Sequence, residues 1–234
     1  MRIASTLITL ALSLYGCASS SANDPLEPVN RVFFNFNHTL DDRAALPAAT
    51  YYKSAVPQSV RSGLHNFTSN LALPVTFAND ILQGEVMRAG ETASRLGVNT
   101  TLGFGGVTDP ATGMGMPEHS EDFGQTLGSY GVPGGPYLTL PLLGAALPRD
   151  LVGRIFVDHF FNPLGYLSYH GKLYVSLAQS AIGLVDQRSR NIDSLRTIER
   201  TSVDYYASMR DLYLKRRDDE IHNRTPDEST STQH

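Results

Sequence analysis

The stretch Val60-Arg-Ser-Gly-Leu64-His-Asn-Phe67-Thr-Ser-Asn-Leu71 sets its apolar residues at i, i+4, i+7 and i+11, the recurrence of one face of a 3.6-residue helix. Upstream, Val29, Phe33, Phe36 and Leu40 repeat that spacing. Pro57 suits a first helical turn, where its missing N–H breaks no bond, and Pro74 is expected to stop the helix. A further helix from Glu85 to Asn99 aligns Ala89, Ala93 and Gly97 on one face. Small residues at that spacing let another helix approach closely.

Downstream, Asp150 is positioned to cap a helix through Leu151, Val152, Ile155, Phe156 and Phe160. Lys172 to Val185 is another charge-poor helix, so both are central to the core or partly in lipid. Leu195, Ile198, Ser202, Tyr205, Met209 and Leu212 keep a 3,4 spacing in a charge-rich background. They read as one long solvated helix with a narrow seam docked on its own body. No strand alternation and no internal repeat persists, and the class is mostly α.

Between these flanks the composition changes. Gly97 to Pro148 holds 12 of the 20 glycines and 6 of the 13 prolines, and no Lys or Arg lies between Arg95 and Arg149. That density excludes long helices and favours turns, while the low polarity argues against a disordered linker. Its most apolar part, Tyr137-Leu-Thr-Leu-Pro-Leu-Leu-Gly-Ala-Ala-Leu147, would be broken as a helix by Pro141 and Gly144. Two readings fit: a buried loop packed in the core, or an apolar surface segment in contact with lipid.

With 19 basic and 23 acidic residues among 234, the chain is not a basic nucleic-acid binder. No apolar run approaches the ~20 residues of a spanning helix. Met1-Arg2 followed by the apolar stretch Ile3 to Gly16 reads as a signal peptide over residues 1–16, ending in Leu14-Tyr15-Gly16-Cys17. That ending resembles a bacterial lipobox, with Tyr15 bulkier than the pattern prefers. Cys17 is the one cysteine, so no internal disulfide can form, and lipidation accounts for a thiol in an oxidising compartment. Ala18-Ser19 after it points, by the lipoprotein sorting pattern, to the periplasmic face of the outer membrane. Residues 17–23 are then a lipidated linker, 24–220 one helical domain and 221–234 a disordered polar tail.

Catalytic signatures are missing. Gly103-Phe-Gly-Gly106 lacks the third glycine of a dinucleotide fingerprint, and there is no HExxH, GxSxG or Walker loop. Glu118-His119-Ser120-Glu121-Asp122 holds a base, a nucleophile and carboxylates, but neighbours in one loop seldom converge on a reacting atom. Neither a catalytic residue nor a metal site is assigned.

Several strings together resemble the MlaA/VacJ family of outer-membrane lipoproteins: Asp24-Pro-Leu-Glu-Pro-Val-Asn-Arg31 with Phe33-Phe-Asn-Phe-Asn37; Arg61-Ser-Gly-Leu-His-Asn-Phe67 with Asn70-Leu71, Pro74 and Leu82-Gln-Gly84; and Asn99-Thr-Thr-Leu-Gly-Phe-Gly-Gly106. Asp109-Pro-Ala111, Glu121-Asp-Phe-Gly-Gln-Thr-Leu-Gly128 and Gly135-Pro-Tyr137 through Arg149-Asp150 extend the match, which runs from about Asp24 to about Leu214. Val29 stands where the family often has an aromatic, and Gly144-Ala145-Ala146 replaces a Gly-Pro-Ser type of turn.

The resemblance implies a single-domain helical ring embedded in one leaflet, with an amphipathic channel. It also implies trimeric porins as partners, phospholipids as cargo, delivery to a soluble periplasmic carrier, and no cofactor beyond the covalent lipid at Cys17. Within that frame the Gly-rich segment is expected to form the channel wall or gate, through Gly124, Gly131, Gly134, Gly135, Pro136, Tyr137, Leu140, Pro141 and Gly144. The alternative is an adaptor lipoprotein that scaffolds a porin or envelope complex without conducting lipid.

Overall fold

The computed structural model describes residues 24–153 and 172–224, without the side chains of 172–179. The expected signal peptide, Cys17, the linker, Ile155 to Phe160 and the tail beyond 224 lie outside the described residues. The chain starts with helix α1 (Glu27–Leu40), whose Pro28 occupies the first turn. A π-turn at Asp41–Ala45 carries it into α2 (Leu46–Ala55). Pro47 accounts for the widening, since its ring clashes with the carbonyl four residues back and it donates no bond there.

Helix α3 (Gln58–Gln83) runs through Pro74 and does not stop there as expected. The helix is held from outside by its neighbour, and tertiary packing offsets the one lost backbone bond. It ends at Gly84, whose φ of 80° closes a left-handed cap with Glu85 N–H donating to the Asp80 carbonyl. After this tight turn, α4 (Val86–Thr101) returns along α3 to form the most extensive helix pair. The small-residue stripe is not the contact between them: Ala89 is buried, but Ala93 and Gly97 are exposed. The packed face is Ala89, Thr92, Arg95 and Asn99.

The Gly/Pro segment holds two short helices, α5 (Pro110–Gly113) and α6 (Phe123–Ser129), then a hairpin of β1 (Leu138–Leu140) and β2 (Gly144–Ala146). The strands are antiparallel, with Leu138 opposite Ala146 and Leu140 opposite Gly144. Sequence reading missed this hairpin. In α7 (Pro148–Val152), Asp150 lies inside the helix rather than at its cap, which is Leu147. Helix α8 (Lys172–Arg190) is followed by α9 (Ile192–Thr201) and α10 (Tyr205–Ile221). The expected single long helix is therefore broken at Ser202 to Asp204, where Asp204 caps α10 by accepting the Ala207 N–H.

Long-range contacts link the elements pairwise. Helix α2 packs on α8, α8 on α3, α3 on α6 and α6 on α10. Helix α10 returns to α1 through the Arg31–Asp204 pair and the Tyr206 hydroxyl, which donates to Asp24 at 2.5 Å.

The polarity of the body is inverted. The largest fully buried side chains among the described residues are Asn79, Thr92, Thr126, Asp80 and Ser189, whereas Val29, Val32, Phe36, Val60, Leu64, Phe67, Phe77 and Ile81 are exposed. Of the apolar stripes expected on α1 and α3, Val29, Phe36, Leu40, Val60, Leu64 and Phe67 are exposed, while Phe33 and Leu71 are half-buried.

Candidate functional site

A cavity of about 230 Å³ opens beside the hairpin. Phe34, Tyr137, Leu195, Tyr205 and Met209 give it apolar walls; Asn37, His38, Asp41 and Arg188 give it a polar end; Thr139, Gly144 and Ala145 of the hairpin close one side. The aromatic wall is set by edge-to-face contacts, Phe34 on Tyr205 at 5.3 Å and Tyr137 on Tyr206 at 6.2 Å. Burial pushes the Tyr137 and Tyr205 hydroxyls above the usual phenol range, so both stay neutral at physiological pH.

The polar end is a fork. Arg188 donates from Nε and Nη2 to the two Asp41 oxygens at 2.8 Å each, and these bonds raise its pKa further. The π-turn sets Asp41 between α1 and α2, within reach of α8. His38 lies 3.6 Å from Asp42 and 3.5 Å from Glu199, between α1 and α9.

The hairpin is fastened to α1 by two amide side chains. Asn30 Nδ2 donates to the Tyr137 carbonyl at 2.9 Å and its Oδ1 accepts the Thr139 N–H at 2.8 Å. Asn37 repeats this one step along, donating to the Leu140 carbonyl and accepting the Leu142 N–H, both at 2.8 Å. Two turns of helix separate them, so both point the same way. They serve the outer edge of β1 as a partner strand would.

The residues expected to form the wall or gate separate into three groups. Tyr137 and Gly144 line the cavity, and Leu140 and Pro141 lead into a tip where Leu142 and Leu143 are 72% and 69% exposed. Gly131 and Gly144 adopt φ of 80° and 76° with open space around them, a conformation that L side chains rarely hold. Gly124, Gly134 and Gly135 are tightly packed: a Cβ would fall 2.6 Å from Asp150 Oδ1, 2.8 Å from Leu147 and 3.0 Å from Pro148, respectively. Pro136 joins this packed turn to Tyr137 and is half-buried.

Sequence reading missed Asn37, Asp41 and Arg188 as lining residues. A polar amide recurring seven residues apart inside an apolar helix was the signal for Asn30 and Asn37; nothing in the sequence pairs Asp41 with Arg188, which lie 147 residues apart.

The polar loop Glu118 to Asp122 distributes its side chains among separate elements. His119 Nε2 lies 3.1 Å from Thr92 Oγ1 and 3.3 Å from Asp80 Oδ2. Glu121 accepts from Arg88 at 2.8 Å and Gln83 at 2.9 Å, while burial raises its pKa above the usual value. Asp122 caps α6 and pairs with Arg217, which also reaches Asp150 at 2.9 Å. These carboxylates are structural partners, and among the described residues no group of three His, Cys, Asp or Glu is placed to hold a metal.

A family model described as MlaA lipoprotein matches residues 22–220. The chain is 37% identical over 215 residues to the intermembrane phospholipid transport system lipoprotein MlaA of Escherichia coli (strain K12), covering 88% of this chain and 83% of that one. It is 33% identical over 220 residues to the protein of the same name from Haemophilus influenzae, covering 90% and 86%. A solved chain described by the words "Structural basis for maintenance of bacterial outer membrane lipid asymmetry" superposes with a TM-score of 0.77 at 34% identity, covering 85% of this chain and 99% of that one.

Proposed function

The chain belongs to the MlaA lipoprotein family, and from that membership we propose that it removes mislocalised phospholipids from the outer leaflet of the outer membrane and passes them to a soluble periplasmic carrier. Its place is the periplasmic leaflet, held by acyl chains on Cys17. It moves lipid and catalyses no reaction.

The inverted polarity carries this reading. Apolar side chains on the outside of α1 and α3 suit hydrocarbon, and the buried Asn, Asp and Thr hydrogen-bond one another in the packed interior. No helix among the described residues is long and apolar enough to cross a membrane. A single leaflet is about 15 Å of hydrocarbon, or roughly ten helical residues. The contacts that run from α1 through α2, α8, α3, α6 and α10 back to α1 support a ring around an amphipathic channel.

In this reading the cavity of Phe34, Tyr137 and Tyr205 takes acyl chain, and the hairpin is the gate. Gly131 and Gly144 supply its hinges; Leu140 and Pro141 carry its tip; Gly124, Gly134, Gly135 and Pro136 anchor it on α7, with Tyr137 as the fixed wall. A trimeric porin is the partner on the outer apolar face.

The test is outer-leaflet phospholipid in intact cells lacking the protein, read with an acyl-transfer reporter confined to that leaflet. A rise reversed by the wild-type copy, and not by a copy carrying Gly131→Pro and Gly144→Pro, is expected. If the Pro copy restores asymmetry as well as wild type does, the hairpin is not the gate. No rise at all would favour the adaptor.

A further inference from the structure

The cavity beside the hairpin has room for one chain. At about 30 Å³ for each water-sized group, a methylene included, its volume of about 230 Å³ holds roughly eight such groups. That is part of a single acyl chain, and the second chain of a phospholipid has no space beside it. The walls hold this limit. Phe34 meets Tyr205 edge-to-face at 5.3 Å, Tyr137 is braced by Tyr206 and Tyr213 at 6.2 and 5.9 Å, and the hairpin on the remaining side is bonded to Asn30 and Asn37 of α1. Aromatic walls packed in this way resist the parting that a second chain would need.

The polar end selects the headgroup. Asp41 and Arg188 neutralise one another through their forked bonds. His38 Nε2 lies between Asp42 and Glu199, so one carboxylate stays in excess even when the imidazole is protonated. All three groups are accessible, with the His38, Asp42 and Glu199 side chains 31%, 51% and 44% exposed. An anion arriving here meets like charge, and a cation does not. We propose that this cavity binds single-chain phospholipids with a zwitterionic headgroup, the chain between Phe34, Tyr137 and Met209 and the headgroup cation on Asp42 and Glu199. A fatty acid has the chain but brings a carboxylate to the acidic end. A diacyl lipid has the headgroup but must leave one chain outside. The assignment rests on the transport reading, whose cavity it uses, and adds lysophospholipid to the cargo.

The chain has no tryptophan, so a single introduced one reports contact with a bromine-labelled lipid through quenching. The full chain carrying Phe34→Trp is reconstituted in phosphatidylethanolamine–phosphatidylglycerol vesicles freed of detergent, which is itself a single-chain amphiphile. Brominated lysophosphatidylethanolamine is expected to half-quench this tryptophan at a concentration at least about threefold below that of brominated diacyl phosphatidylethanolamine of equal bromine content. At Phe67→Trp, on the exposed face of α3, the two lipids should quench alike. Brominated fatty acid should require at least about threefold more than the lysolipid at Phe34→Trp, and Glu199→Lys should remove that difference.

Met209→Trp, on α10, is the second reporter in case Phe34→Trp fails to fold. Equal quenching by lysolipid and diacyl lipid at the cavity positions would overturn the one-chain limit. A fatty acid as effective as the lysolipid, or a difference unmoved by Glu199→Lys, would overturn the headgroup selection. Transfer of diacyl phospholipid from these vesicles to acceptor vesicles is followed in parallel. Transfer without selective quenching removes the single-chain site and leaves the transport reading; selective quenching without transfer keeps the site and removes that reading.

Discussion

Asn30 and Asn37 lie seven residues apart on α1, and their side-chain amides bond the backbone at the two ends of β1, Asn30 on Tyr137 and Thr139, Asn37 on Leu140 and Leu142. A three-residue strand with one cross-strand neighbour is marginal by itself. The two amides supply four further bonds to its free edge, so the hairpin is fixed at one side and open at the other. Asn37→Ala removes both bonds, and because the Leu142 end is open to water the cost is about 0.5–1.5 kcal/mol. The expected signature is local: amide exchange at Leu142 accelerates while α3 and α4 keep their protection. Unchanged exchange at Leu142 would show that the amide does not hold the strand.

Arg217 is the corresponding fastener for α10. It is buried and holds Asp122, Asp150 and Glu220 at 2.9 to 3.0 Å. Arg217→Met leaves Asp150, itself 4% exposed, with Arg149 at 3.1 Å and the Tyr213 hydroxyl at 3.2 Å, so it should cost about 1–3 kcal/mol, the range for a lost charge-assisted hydrogen bond. Adding Asp150→Asn lowers the negative charge left facing the new methionine and should recover part of that loss. Melting temperatures of the two single variants and the double variant would measure the coupling, and strict additivity would place the destabilisation elsewhere.

Acid should loosen the junction of α1 with α10. Bonds from Arg31 hold the Asp204 carboxyl down from the ordinary 3.8 to about 2. A lowered native pKa means that the folded state binds its proton later than the unfolded chain does. The stabilisation is therefore complete above about pH 4 and is lost as pH falls towards 2. Asp204 is solvent-exposed, so screening keeps the effect small. Melting curves of wild type and Asp204→Asn should converge on going from pH 5 to pH 2; a constant gap would assign the stabilisation to another group.

Leu142 separates stability from function. It adopts a left-handed φ of 67° at the hairpin tip and is 72% exposed. Asn tolerates that conformation better than Leu, so Leu142→Asn should raise stability in detergent by up to about 1 kcal/mol. The same change places an amide where an apolar tip meets lipid and should slow phospholipid transfer. A variant that is both more stable and equally active would detach the tip from the transport step.

Much of the helical framework is legible in the sequence. The stripe Val60, Leu64, Phe67 forms on one face of α3, and the glycine and proline density before Pro148 does exclude long helices. Periodicity locates a stripe but not the side on which it lies, because the same spacing serves a core-facing or a lipid-facing helix. Proline rules misjudge Pro74, since α4 packed alongside supplies what the lost bond removes. The break at Ser202 was hidden by apolar spacing that continues on both sides of it, although Asp204 is a good cap. Leu138-Thr-Leu140 and Gly144-Ala-Ala146 have little strand propensity. Their pairing depends on Asn30 and Asn37, more than 100 residues away, and no local pattern reports such a contact.

Polar interior and apolar exterior also redistribute tolerance to substitution. In a protein folded by water, the intolerant positions are its buried Leu, Ile and Phe, and the surface drifts. Here Asn30, Asn79, Asp80, Thr92 and Asn99 occupy the packed positions, and each makes side-chain hydrogen bonds to specific partners. Exchanging one polar type for another at such a position breaks a specific bond. Val29, Val32, Val60, Phe67 and Ile81 on the outside need only be apolar and can replace one another with little effect. Sequence drift in this chain should therefore be fast among hydrophobic residues and slow among amides and hydroxyls, the reverse of the usual order.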